Sequence, residues 1–329
     1  MGENVTPVAS DVTVQCVPAG SHLPEIPDHT SSPLHHLKGI ACVLFAVLIW
    51  SGWVVMSRFG VKGVLSPYDI TAIRFTTAGL LLLPMAWKRG LKIGPWGLKG
   101  GLLLSVLLGA CYANIVIFGM KFAPVSHAST INTGTFLTLI TLLGIHGLRE
   151  HVPRLRLAGV ACSLIGISLM LSVKGSDYSS SQWIGHLCFM TGATMWAGYV
   201  ILTRTWKVDA IHATVVVCVF SMLTYTPLYL LFADGHIFSC PPQELALQIV
   251  YQGVLTSIVA LFAFNVGVGI LGAARAGAFV PLIPAFSTLL AFYFLDEVPS
   301  FVEVMGICTV SIGVFLATGA AGMLRGRKL

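Results

Sequence analysis

Charge is what this sequence has least of. Asp, Glu, Lys and Arg together make up 10% of its 329 residues, whereas hydrophobic residues make up 56% and the mean hydropathy is +0.86. Soluble globular domains carry about 25% charged residues. The composition therefore excludes an ordinary soluble domain and indicates an integral membrane protein.

Three further absences narrow the class. The eight cysteines include no closely spaced pair of the kind that binds a structural metal, so we expect no metal site and no cofactor. The sequence also lacks the alternating polarity of outer-membrane barrels. The net charge of +6 is spread over small basic groups between apolar runs, which does not indicate nucleic-acid binding.

Ten apolar runs are separated by Gly, Pro and short charged clusters, and each is close to the roughly 20 residues that a spanning helix needs. They predict helices near 38–59, 67–87, 97–120, 124–147, 155–174, 183–204, 211–233, 244–269, 274–295 and 301–321. Residues 1–37 contain many Pro, Ser, Thr and Asp residues, which predicts a disordered tail, and residues 322–329 form a basic tail.

The positions of Lys and Arg predict the orientation. With the N-terminus in the cytoplasm, the nineteen basic residues lie on the inner side except for Arg58, Lys62, Arg74, Lys121 and Lys174. This bias favours two cytoplasmic termini. We therefore expect a multi-pass protein of the cell inner (plasma) membrane, in contact with membrane lipid.

The first predicted helix and the sixth share a pattern. At a constant offset, Gly39, Cys42, Trp50, Gly52, Val54 and Arg58 recur as Gly185, Cys188, Trp196, Gly198, Val200 and Arg204, and Trp53 corresponds to Tyr199. Farther along, Glu150 corresponds to Glu297, and Asn114 to Asn265. Because each half (38–174 and 183–321) holds five helices, the second half enters the membrane in the opposite sense, as in many secondary transporters.

These features resemble the EamA family of the drug/metabolite transporter (DMT) superfamily over residues 38 to 321. The resemblance rests on Trp50 and Trp196, on Pro67 followed by Arg74, and on the pattern Pro284…Glu297-x-Pro299…Gly306…Gly313. It implies ten helices in two inverted five-helix repeats, a central cavity lined by both halves, and export of amino acids or other metabolites. Leu137 stands where the fourth helix would match Pro284, so we expect the halves to bend differently there.

Candidate substrate-binding residues are aromatic or polar side chains within the predicted spans: Trp50, Trp53, Arg74, Asn114, Asn132, Trp196, Tyr199 and Asn265. A guanidinium two turns into an apolar helix is costly unless it meets water, a partner or an anionic ligand, so Arg74 is the candidate for binding a substrate carboxylate. The alternatives are a salt bridge from Arg74 to Asp69, helix packing for the aromatic residues, and interhelical hydrogen bonds for the asparagines.

Two acidic residues are candidates for a gate. Glu150 and Glu297 end the fourth and ninth predicted helices on opposite membrane faces, where Arg58 or Arg204 can pair with them. A structural cap is the alternative role. No Asp or Glu falls at the centre of a predicted span, so facilitated diffusion or exchange is as well supported as proton coupling through a buried carboxylate.

The hypothesis from the sequence is a secondary transporter that exports amino acids or related small metabolites by alternating access. The alternatives are an intramembrane enzyme and a transporter of another solute class, such as nucleobases or organic cations. An enzyme is not expected, because the sequence contains neither G-x-S-x-G nor H-E-x-x-H. The expected partner is a small-molecule substrate, and both a monomer and a homodimer remain open.

Overall fold

The computed structural model describes residues 33–148, 152–172, 181–233 and 235–318. Its helices are α1 (Pro33–Lys62), α2 (Pro67–Arg89), α3 (Leu98–Leu108), α4 (Ala110–Gly119), α5 (Val125–Leu148), α6 (Arg154–Ser172), α7 (Gln182–Thr205), α8 (Ala210–Phe232), α9 (Pro242–Gln248), α10 (Ala260–Leu271), α11 (Ala273–Gly277), α12 (Leu282–Leu295) and α13 (Phe301–Ala317). A 3₁₀ turn at Ile237–Ser239 precedes α9, and a π-helical segment at Ile249–Val259 joins α9 to α10.

Over these described ranges, nine helical segments are long and apolar enough to cross a membrane. The third of them runs through α3 and α4, and the eighth runs through α9, the π-helical segment and α10. In tenth place, α13 is a shorter apolar helix of 17 residues, at the lower limit of a spanning length. The predicted fold class, an all-α membrane protein with two five-helix repeats, is confirmed.

The first helix is longer than its apolar run. It begins at Pro33, so the last residues of the predicted tail are helical, and it ends at Lys62 rather than near position 59. Proline suits a first helical turn because its fixed φ is helical. At the other end, Lys62 Nζ donates to the carbonyl of Leu295 at 3.3 Å, which holds the last turn. The remainder of both predicted tails lies outside the described residues.

Helices of one half pack against helices of the other in pairs that a twofold axis would exchange. Thus α1 packs on α10, and α7 packs on α4. A repeated glycine permits both approaches: a Cβ at Gly39 would lie 2.8 Å from the Leu271 side chain, and one at Gly185 would lie 2.8 Å from the Gly119 carbonyl oxygen. The packing is therefore that of two inverted repeats.

The third span of each half is irregular. Between α3 and α4 the helix breaks at Gly109, and the amide of Ala110 donates to Ser221 Oγ of α8 at 3.2 Å. In the π-helical segment, the hydroxyls of Thr256 and Ser257 donate to carbonyls five residues earlier. These bonds satisfy polar groups for which the bilayer provides no partner, and such irregular backbone is typical of the centre of transporters.

Candidate substrate cavity

A cavity of about 510 Å³ lies between the two halves. This volume falls within the range of small-molecule binding sites. The structure places seven of the eight predicted substrate-binding residues on its wall: Trp50, Trp53, Arg74, Asn132, Trp196, Tyr199 and Asn265. They come from both halves, so a solute in this cavity would contact side chains of each.

Asn114 lies away from this wall. Its Oδ1 accepts a hydrogen bond from the hydroxyl of Tyr225 at 3.3 Å, which ties α4 to α8. Its counterpart Asn265 lines the cavity, so the repeat does not give the two amides the same environment. The helix break at Gly109 precedes Asn114, whereas a π-helical segment precedes Asn265, and each irregularity changes which face of the following helix points to the centre.

Two of the predicted tryptophans make aromatic contacts across the halves. The ring centre of Trp50 lies 5.1 Å from that of Phe264, and Trp196 stacks on Phe136 with a ring-centre distance of 4.1 Å. All four residues line the cavity. The wall therefore offers flat apolar surfaces, and these surfaces also join the two halves.

Arg74 lies on the wall between aromatic rings. Its guanidinium carbon is 5.0 Å from the ring centre of Trp53 and 5.4 Å from that of Phe75. The predicted alternative partner, Asp69, instead accepts a hydrogen bond from the hydroxyl of Tyr229. Within the described part of the chain, Arg74 forms no ion pair. Two ring faces thus stabilise a buried cation that has no anionic partner in the described protein.

Three buried nitrogen donors on the cavity wall have no hydrogen-bond partner among the described residues: Trp53 Nε1, Arg74 Nε and Asn265 Nδ2. An unpaired buried donor costs about 1–3 kcal/mol. The residues that line the cavity include this one cation and no carboxylate. The site therefore has donors and positive charge to offer, which suits a ligand that brings acceptors.

The cavity is closed at one face of the bundle, which we call the Glu297 face: α1 and α12 end there, and α5, α7 and α13 begin there. Glu297 Oε1 lies 2.9 Å from Arg58 Nε and 3.1 Å from Lys62 Nζ, and its Oε2 accepts from the amide of Val125 at 2.9 Å. Arg58 also donates to the carbonyl of Met120, a fully buried residue of the cavity wall. Glu150, the other predicted gating residue, lies outside the described residues.

The wall runs from this closed end to the opposite face. Met120 and Ser129 line the cavity near the Glu297 face, whereas Ala210, the exposed first residue of α8, lines it at the other face. The ion pair of Arg58 with Glu297 connects the first half to the second. At the Glu297 face the wall residues are therefore buried beside this ion pair, whereas at the opposite face the wall reaches an exposed residue.

Three polar residues that were not predicted as a group meet near the Glu297 face. His127 lies 2.8 Å from both His186 and Glu303, and the three side chains come from α5, α7 and α13. His127 is 59 residues from His186 and 176 residues from Glu303 in the sequence, so the sequence did not indicate this cluster. The sequence Ser300-x-x-Glu303 is typical of a capping box, which accounts for only one of the two carboxylate oxygens of Glu303.

Comparison with known proteins gives two matches to the model of the EamA-like transporter family, at residues 37–172 and 183–319. An uncharacterized transporter of Archaeoglobus fulgidus is 28% identical over 279 residues, which are 83% of this chain and 94% of that protein. The uncharacterized inner membrane transporter YedA of Escherichia coli K12 is 24% identical over 287 residues, which are 84% and 89% of the two chains. A protein crystal structure with 21% identity covers 88% of this chain and 98% of its own, with a TM-score of 0.58, and has the same fold.

Proposed function

Because this chain belongs to the EamA-like transporter family, and is therefore a multi-pass membrane transporter, we propose that it exports amino acids or related small metabolites by alternating access. Family membership favours a carrier over the intramembrane enzyme considered from the sequence. The proposal assigns the substrate to the cavity between the halves.

The main support for the proposed substrate class is the set of unpaired donors on the cavity wall. A carboxylate has only acceptors, and it matches the Arg74 guanidinium together with the neutral donors of Trp53 and Asn265. The aromatic surfaces at Trp50 and Trp196 add room for an apolar side chain. An α-amino acid supplies a carboxylate and an apolar side chain, whereas a sugar or an organic cation would leave Arg74 without an anionic partner.

The closed Glu297 face supports the alternating-access part of the proposal. In the orientation with cytoplasmic termini, which the basic residues favour, the Glu297 face is the outer one. The cavity would then be open toward the cytoplasm and sealed outward by Arg58 and Glu297. Release of substrate to the outside requires that this ion pair separates. The proposed inner-membrane location rests on the similarity to YedA, an inner membrane transporter.

Counterflow in proteoliposomes tests the substrate class. Liposomes that contain the purified full chain are preloaded in turn with unlabelled amino acids, purines, sugars or organic cations, and uptake of the labelled compound is followed. We expect protein-dependent exchange of amino acids, and weaker exchange with Arg74→Gln. Exchange confined to purines or organic cations would replace the substrate class. No exchange of any of these compounds by folded protein would count against the proposal.

A further inference from the structure

A chain of buried side chains crosses the interface of the halves beside the closed face. His186 Nε2 lies 2.8 Å from His127 Nδ1, and His127 Nε2 lies 2.8 Å from Glu303 Oε1. His127 is fully buried, whereas His186 is 7% exposed. The two imidazole rings are nearly parallel, with an interplanar angle of 15° and centres 5.0 Å apart. His127 belongs to the first half, and both of its partners belong to the second.

The chemistry of these groups sets the direction of the hydrogen bonds. An ionised Glu303 only accepts, so His127 carries its proton on Nε2. Nδ1 of neutral His127 then accepts, and His186 must donate from Nε2. Two neutral imidazoles and one carboxylate therefore satisfy both bonds, and the chain as a whole has a charge of −1. His186 Nδ1 takes no part in either bond and carries a lone pair at which a further proton can enter.

A proton that enters at His186 Nδ1 can pass along the chain. His186 releases its Nε2 proton to His127 Nδ1, and His127 releases its Nε2 proton to Glu303 Oε1. The product is a neutral carboxylic acid and two neutral imidazoles, joined by the same two hydrogen bonds with donor and acceptor exchanged. One proton is taken up, no other bond breaks, and the charge of the chain changes from −1 to 0.

Neither a metal site nor a cap explains this arrangement. The two ring nitrogens of His127 point to different partners, so the three residues do not converge on one ion, and the described residues include no metal-binding cluster. The cap uses Glu303 Oε2, which accepts from the amide of Ser300 at 2.6 Å. The other oxygen, Oε1, receives His127 and the hydroxyl of Ser126 at 3.1 Å. A capping box requires no histidine.

The hydrogen-bonded side chains of His127 and Glu303 adjoin the ion pair of Arg58 with Glu297, which we call the gate. Val125, whose amide donates to Glu297, is followed by Ser126 and His127, which both bond to Glu303. Two carboxylates of the second half thus hold the first turn of α5. A charge-assisted hydrogen bond is roughly twice as strong as a neutral one, so protonation of Glu303 weakens one of these two attachments.

We propose that His186, His127 and Glu303 form a proton relay, and that uptake of one proton by Glu303 favours opening of the Glu297 face. The gating part rests on the proposed transport function, whereas proton uptake by the relay does not depend on any substrate. The arrangement would allow entry of a proton from the Glu297 face to accompany release of the solute there.

Other titratable groups lie on the elements packed against the relay. At the Glu297 face these are Arg58 and Lys62 of α1, Lys121 before α5, Cys188 of α7, and Asp296 and Glu297 after α12. In the described part of α6 they are Arg154 and Arg156, at its other end, and Cys162, while Cys308 lies farther along α13. Of these, Arg58, Lys62 and Glu297 are joined to one another. A measurement of the relay must therefore separate Glu303 from Glu297.

Infrared spectroscopy of the purified full chain in lipid nanodiscs, without substrate, makes this separation. The carbonyl band of a protonated carboxylic acid is followed as the pH is lowered, and the spectrum of Glu303→Gln is subtracted from that of the wild type. Gln at this position keeps the capping box, so the fold is preserved. We expect a titrating band in this difference. The band should persist in Glu297→Gln and titrate at a different pH in His186→Gln and in His127→Gln.

Two results would overturn the relay. One is a wild-type spectrum without any titrating band that depends on Glu303. The other is a band that titrates identically in both histidine variants, which would make Glu303 an isolated acid. Because no substrate is present, these results are independent of the counterflow assay. If no compound is exchanged but the infrared band titrates as expected, then the proposed transport function is refuted and the relay is retained.

The gating part is tested by thiol labelling in cells. Ser129→Cys, in a chain whose native cysteines are replaced, places a thiol on the cavity wall behind the gate, where the native side chain is 4% exposed. Because the thiolate is the species that reacts, the intrinsic rate falls as the pH is lowered, so each rate is divided by that of the same thiol in a chain that also carries Glu303→Gln. We expect this ratio, for a membrane-impermeant reagent added outside, to rise as the external pH is lowered. A ratio that is independent of pH would refute the link between the relay and the gate.

Discussion

Arg58 Nε lies 2.9 Å from Glu297 Oε1, although 239 residues separate them along the chain. Only 7% of the Arg58 side chain and 11% of the Glu297 side chain are exposed. Charges so deeply buried are costly when either partner is removed, by about 3–5 kcal/mol. The ion pair therefore connects the two halves strongly, as long as both side chains keep these positions.

Glu297→Gln should favour opening of the Glu297 face. The substitution removes the buried carboxylate that lies 2.9 Å from Arg58 Nε, so the closed state loses stability relative to any state in which the guanidinium meets water. We expect the labelling rate of Ser129→Cys from outside to rise by more than about tenfold, which corresponds to about 1.4 kcal/mol. Exchange by counterflow should fall in parallel, because a carrier that cannot close one face cannot complete its cycle.

Lys62→Gln is the matched control for this prediction. Lys62 contacts the same Glu297 oxygen at 3.1 Å, but 39% of its side chain is exposed. Pairs with such an exposed partner contribute about 0–1 kcal/mol. We expect its labelling rate to stay within about fivefold of the parent rate. Equal rates for Glu297→Gln and Lys62→Gln would show that the ion pair with Arg58 does not close the cavity.

Trp196→Ala should slow exchange, whereas Trp196→Phe should largely preserve it. The indole stacks on Phe136 at 4.1 Å and forms part of the cavity wall. Aromatic pairs contribute about 0.5–1.5 kcal/mol beyond the area they bury. The alanine variant should therefore lose up to about tenfold in kcat/KM for counterflow. Similar kinetics for both variants, at equal amounts of protein in the membrane, would argue against a contact between Trp196 and the substrate.

The sequence was sufficient to predict the spans and seven of the residues that line the cavity. Apolar runs of spanning length have few alternatives to a helix in a bilayer. A polar or charged side chain inside such a run must face protein or water rather than lipid. For this reason Arg74, Asn132 and Asn265 could be placed toward the centre before any contact was known. The tryptophans followed from the repeat, which located them in the middle of the first helix of each half.

Other features depend on tertiary contacts that the sequence does not show. Asn114 meets the same criteria as Asn265, yet the helix break at Gly109 precedes it and Tyr225 of another helix binds it. The relay was not predicted either, because it also depends on contacts between helices that are distant in the sequence. Glu303 lies in the first turn of its helix, where a carboxylate is usually a cap. Its contact with His127 exists only because α5 and α13 pack at the Glu297 face.

Gly159→Ala should lower the apparent melting temperature of the solubilised protein. A Cβ at Gly159 would lie 2.4 Å from the carbonyl oxygen of Gly313 and 3.0 Å from the amide of Ala317, and backbone atoms cannot move aside as a flexible side chain can. Such overpacking costs about 1–3 kcal/mol. The contact joins α6 to α13, so we expect the loss of stability to accompany loosening between the two halves.

Gly269→Ala provides the comparison for Gly159→Ala. Gly269 also lies within a helix, α10, but nothing lies within 4 Å of a Cβ built there. Since alanine has the higher helix propensity by about 1 kcal/mol, the melting temperature of this variant should stay unchanged or rise. If both variants melt at the wild-type temperature, then the close approach of α6 and α13 does not contribute to stability.

Arg74→Gln should abolish the preference of the transporter for a free carboxylate. Hydrogen bonds to a charged group contribute about 1.5–3 kcal/mol, which corresponds to about 10–150-fold in affinity. We expect the wild type to prefer an amino acid over its carboxamide in competition for counterflow by a factor in this range. In the variant the two compounds should compete equally. Arg74→Lys should keep part of the preference, because a lysine restores the charge without the planar group that stacks on Trp53.

The comparison of the amino acid with its carboxamide separates carboxylate binding by Arg74 from a structural role of Arg74. If the arginine only stabilises the fold through Trp53 and Phe75, then Arg74→Gln should reduce the transport of the amino acid and of its carboxamide by the same factor. If it binds the carboxylate, the loss should be confined to the acid, since the amide gains little from a cation. If the wild-type protein does not distinguish the two compounds, then it does not recognise the carboxylate. The buried donors of the cavity wall would then bind a neutral solute.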